Sequence, residues 1–126
     1  MIRLAELPVD PSSVNFESHC EGVARLEEEY RREFVPHIQK LGQGMPPEDY
    51  FRWAEELRRI RPQVQGLEHW EAIETQLIAP HINHVLRALT QYFSGDLAEH
   101  WQSWRDRYLP ELITLLRELR REASVK

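Results

Sequence analysis

The chain has 126 residues, 41% hydrophobic and 29% charged, and its 21 acidic groups against 16 basic ones leave a formal charge of −5. That length supports one domain with one core, and the composition excludes a disordered chain. The acidic balance argues against general nucleic-acid affinity for the isolated chain. No apolar run reaches the length of a membrane helix, and Arg3 and Glu6 interrupt the start where a signal peptide would be apolar. The lone Cys20 leaves no internal disulfide and no multi-cysteine zinc site. Together these features predict a cytoplasmic protein with no membrane role.

In chain order, residues 1–14, with Pro8 and Pro11, read as an extended N-terminal arm. Ser12, Ser13 and Asn15 offer capping side chains before a run with helical spacing, Phe16, Cys20, Val23, Leu26, Tyr30, Phe34, Ile38 and Leu41. Gly42 and Gly44 suit the end of that helix, and Met45-Pro46-Pro47 delays the next. A shorter second helix is expected from about Pro47 to Arg61, with Glu48 and Asp49 in its first turn and Arg58, Arg59 and Arg61 in its last, as the helix dipole favours. Pro62 and Gly66 bracket a turn. The third stripe is Leu67, Trp70, Ile73, Leu77, Ile78, Ile82, Val85, Leu89, Tyr92 and Phe93, ended by Ser94-Gly95. Asp96, with Glu99 as a capping-box partner, opens a fourth helix whose stripe is Leu97, Trp101, Trp104, Tyr108, Leu112, Leu115 and Leu119.

No segment alternates with period two, so the fold class is all-α. The simplest architecture is a single-domain antiparallel helical bundle of about four helices, because short connections make neighbours run in opposite directions. Pro36, Pro80 and Pro110 fall inside three of these helices, where a proline loses a backbone hydrogen bond and clashes with the carbonyl four residues back. Kinks or breaks are therefore expected at all three. Aligning Pro36 with Pro80 also superimposes Gly22 on Gly66, Glu27 on Glu71, His37 on His81 and Ile38 on Ile82, a suggestion of pseudo-symmetry.

Two constellations bear on function. His81 and His84 lie three apart on one helical face, and His37 stands beside the matching proline of another helix. Three convergent neutral imidazoles would suit a transition metal. The second constellation is Tyr50, Phe51 and Trp53, which spread around a continuous helix and cannot all face one core, followed by Arg58, Arg59 and Arg61. Aromatic residues beside arginines are the usual composition of protein-binding hot spots.

Arg32 and His37 have a spacing similar to the short motif of the helical HEPN ribonucleases, over six residues in which Glu33 and Pro36 depart from the pattern. Phosphate loops, nucleophile elbows and His-Glu-x-x-His are absent from the sequence, and no catalytic residue is assigned.

The sequence thus predicts a non-enzymatic helical interaction or assembly protein. It would bind another macromolecule, foremost a protein, through Tyr50, Phe51, Trp53, Arg58, Arg59 and Arg61, and would self-associate as a homo-oligomer such as a homodimer. The alternatives are a metal- or ligand-binding bundle using His37, His81 and His84, and a small helical subunit of a ribonucleoprotein complex acting through the arginine clusters.

Overall fold

A computed structural model describes the backbone of residues 11–40 and 46–125, and side chains from Phe16 onward. Six α-helices follow in order: α1 (Pro11–Glu33), α2 (Val35–Gln39), α3 (Trp53–Ile60), α4 (Leu67–Ile73), α5 (Ala79–Thr90) and α6 (Gly95–Ser124). Tight 3-10 turns at Pro47–Asp49 and Arg61–Gln63 and a π-helical turn at Glu74–Ile78 join them. The all-α expectation holds, and the described residues contain no strand.

The expected segments are subdivided wherever tertiary contacts or prolines intervene. Helix α1 already includes Pro11, which suits a helix start because it lacks an N–H to leave unpaired, so residues 11–14 are helical rather than extended. The rest of the proposed arm, and the stop at Gly42 and Gly44, lie outside the described residues. Pro36 and Pro80 occupy the opening turns of α2 and α5, where their missing N–H costs nothing. Ahead of Pro80, the π-helical turn inserts an extra residue into the ladder. Pro110 instead lies within the unbroken span of α6. The proposed cap at Asp96 is replaced by extended Ser94, without a side-chain capping bond, so the capping box with Glu99 does not form. Gly95 supplies the turn with a φ of 60°.

Helices α1 and α6 run antiparallel along most of the molecule. The Phe34 ring stacks on His100 with centroids 4.9 Å apart, the Trp104 indole donates to the Leu26 carbonyl at 2.8 Å, and Gly22 leaves room for the Glu111 carboxylate. Helix α3 crosses α1 in the opposite sense too, pairing Trp53 with Glu27 at one end and Arg58 with Glu17 at the other. Between them lies an aromatic core of Tyr30, Phe34, Phe51, Trp101, Trp104 and Tyr108, each at most 2% exposed. Trp104 stacks on Tyr108 at 4.7 Å, and Phe51 meets Tyr30 edge-on at 4.7 Å. Such pairs contribute about 0.5–1.5 kcal/mol beyond the area they bury.

One polar group enters this core. Glu27 is 2% exposed, and its carboxylate accepts from the Trp53 and Ala54 backbone N–H groups at 2.7 and 3.3 Å and from the Tyr108 hydroxyl at 2.7 Å. The first two amides of α3 are thus capped by a side chain of α1. The pseudo-symmetric partner Glu71 instead lies on the surface beside Arg120, 3.6 Å away, so the two halves do not share this environment.

Candidate interaction site

Three residues of α1 fix the segment before α3. The Tyr30 hydroxyl donates to the Pro47 carbonyl at 2.7 Å, Arg31 donates to the Phe51 carbonyl at 3.3 Å, and Glu27 caps Trp53 and Ala54. The chain turns at Tyr50–Arg52 and enters α3 only at Trp53. This turn explains why Phe51 and Trp53, which a continuous helix would point in different directions, are both buried, at 0% and 7% exposure. Tyr50 is half-buried beside them.

The opposite wall is the π-helical turn with α5. Between the walls lie two adjoining hollows. One, of about 320 Å³, is lined by Asp49, Tyr50, Arg52, Trp53, Glu56, Leu77 and His81. The other, of about 280 Å³, is lined by Tyr50, His81, His84, Val85, Ala88, Leu89 and Tyr92. They share Tyr50 and His81 and form one groove. The Trp53 ring meets His81 edge-on at 5.4 Å, and its indole N–H is buried with no hydrogen-bond partner among the described residues. Leu77, 53% exposed, and Tyr92, 44% exposed, flank the groove.

The sequence-derived sites are therefore redistributed. Tyr50 and Trp53 line the groove, but Phe51 belongs to the core and offers no contact surface. The arginines serve the fold: Arg58 reaches Glu17 at 3.3 Å, and Arg59 reaches Glu56 at 2.6 Å. Arg61 holds Glu122 with two bonds of 2.8 Å and covers the Phe16 ring at 4.3 Å. His81 and His84 share the second hollow, whereas His37 is exposed on α2 and absent from its lining. Among the described residues no group of three or more His, Cys, Asp or Glu side chains is gathered as a metal ion would require. His81 and His84 line one hollow, and His37, on α2, does not line it.

Burial pushes the Cys20 thiol up to about 12, so it stays protonated, and its S–H faces the Ala54 carbonyl at 3.9 Å. Arg32 is paired with Glu33 at 3.2 Å, and among the described residues no hydrogen bond or ion pair joins it to His37 across the HEPN-like spacing. No described helix is long and apolar enough to cross a membrane.

Leu77 and Tyr92 both belong to the apolar stripe of residues 67–93. That stripe contains the adjacent apolar pairs Leu77-Ile78 and Tyr92-Phe93, and spacing alone does not say which member of each is buried. Ile78 and Phe93 take the core positions, at 0% and 6% exposure, leaving the others at the groove. Comparison with known proteins finds no matching family, no matching curated protein and no matching solved structure.

Proposed function

We propose that the protein is a non-enzymatic helical interaction module that receives an apolar segment of a partner protein in the groove between residues 49–56 and α5. The observation carrying this reading is the placement of exposed apolar residues. The large hydrophobic side chains that are exposed among the described residues are Leu77, Tyr92, Ile113 and Val125, and two of these four flank one groove. Exposed apolar surface gathered in a concave site is the mark of a recognition surface, unlike the same residues scattered singly.

An antiparallel helical bundle supports this role as a scaffold, with the proline-bounded segments α2 and α5 beside the site. Self-association through the same groove is the homo-oligomeric version of the reading. Photocrosslinking from position 92 identifies the partner, and its affinity is then measured for variants. Leu77→Asp and Tyr92→Asp are expected to weaken binding at least tenfold, while Ile113→Asp, an equally exposed position off the groove, binds as the parent does. Equal binding by all three variants would refute the groove as the site.

A further inference from the structure

Helix α5 presents a second lining on its other flank, facing α6. Asn83, Leu86, Arg87 and Thr90 from α5 and Arg105, Asp106 and Leu109 from α6 line an open cleft of about 550 Å³. That is within the roughly 300–1,000 Å³ common for small-molecule sites. The cleft has firm walls. The Trp101 indole donates to the Thr90 hydroxyl at 3.2 Å, that hydroxyl donates to the Leu86 carbonyl at 2.8 Å, and Leu86 is 8% exposed.

Several arginines are committed internally: Arg31 to the Phe51 carbonyl, Arg58 to Glu17, Arg61 to Glu122, Arg107 to Glu29 and Arg120 to Glu71. Arg87 and Arg105 have no hydrogen-bond or ion-pair partner among the described residues. Two guanidinium groups without a protein partner that line the same cleft can act together on one anion. Guanidinium forks match the oxygens of a phosphate, and the Asn83 amide adds a neutral donor. Asp106 would repel an anion placed against it but accepts a hydrogen bond or an ammonium group, while Leu86 and Leu109 offer an apolar surface between.

We propose that the α5–α6 cleft binds a small phosphate monoester that carries an amino or hydroxyl group, with Arg87 and Arg105 on the phosphate and Asp106 on the donor. This site is independent of the groove on the opposite flank of α5. The test is calorimetric titration of the full chain with phosphoethanolamine, in parallel with inorganic phosphate and a phosphoserine peptide. Saturable one-site binding of phosphoethanolamine is expected. It should weaken at least tenfold in Arg87→Gln and in Arg105→Gln and stay unchanged in Arg25→Gln, which alters an uncommitted arginine outside the cleft. Asp106→Asn should weaken phosphoethanolamine but not inorganic phosphate. Thermal melts of each variant verify folding. No saturable binding, an affinity indifferent to both cleft arginines, or tighter binding of the phosphoserine peptide than of phosphoethanolamine would overturn the proposal.

Discussion

At the residue scale, Glu27 decides more of the structure than any other polar group. Burial drives its carboxyl pKa upward, against three hydrogen-bond donors and Arg31, which favour the ionised form. A carboxyl raised in the folded state stabilises the fold most below its unfolded pKa, and that contribution is lost as the pH rises through the folded value. The stability advantage of the parent over Glu27→Gln, read by urea unfolding, is therefore expected to be largest at acidic pH and to shrink as the pH rises above the ordinary carboxylate range. Glu27→Ala leaves two backbone amides and the Tyr108 hydroxyl unpaired, and should cost about 3 kcal/mol or more in the same measurement. Glu29 behaves oppositely. Its bond to Arg107 holds the carboxyl below the usual range, so its small contribution is present above that range and lost on acidification. Helical spacing from Val23 and to Tyr30 puts Glu27, rather than Glu28 or Glu29, on the buried face, but the groups that pair with it come from α3 and α6 and are not legible in the local sequence.

Among the elements, the helices themselves were legible and their interruptions were not. The apolar stripes of α1 and α6 correspond to the buried residues from Phe16 to Phe34 and from Trp101 to Leu119, apart from half-buried Leu26. The missed break at Tyr50–Arg52 is stabilised by α1, which supplies the cap for α3 from a distant part of the chain. Two backbone positions carry predictions of opposite sign. Gly66 precedes α4 with a φ of 128° and has open space around its missing Cβ, so Gly66→Ala meets backbone strain alone. It should destabilise by about 1 kcal/mol, seen as a lowered Tm. Pro110, exposed inside α6, withholds one helical hydrogen bond. Pro110→Ala is expected to raise stability by up to about 3 kcal/mol in chemical denaturation, since the helix regains that bond.

Across the whole molecule, the aromatic core joins α1, the segment before α3, α5 and α6 through contacts far apart in sequence. Trp104 touches Tyr30, Phe34, Phe51, Trp101 and Tyr108, and its indole bonds to Leu26. Trp104→Ala should cost about 3–5 kcal/mol by urea unfolding. Composition and periodicity by themselves determined that this chain is helical, where its apolar faces lie, and that its tryptophans supply the core, because burying a stripe at helical spacing is a local demand. Only the tertiary structure decided which member of each adjacent apolar pair stays outside, which arginines remain uncommitted, and how Tyr50, Trp53, His81 and His84 come to share one groove. Those outcomes depend on helix phase after a π-helical turn and on a cap delivered from another helix, and neither quantity is written in the spacing of neighbouring residues.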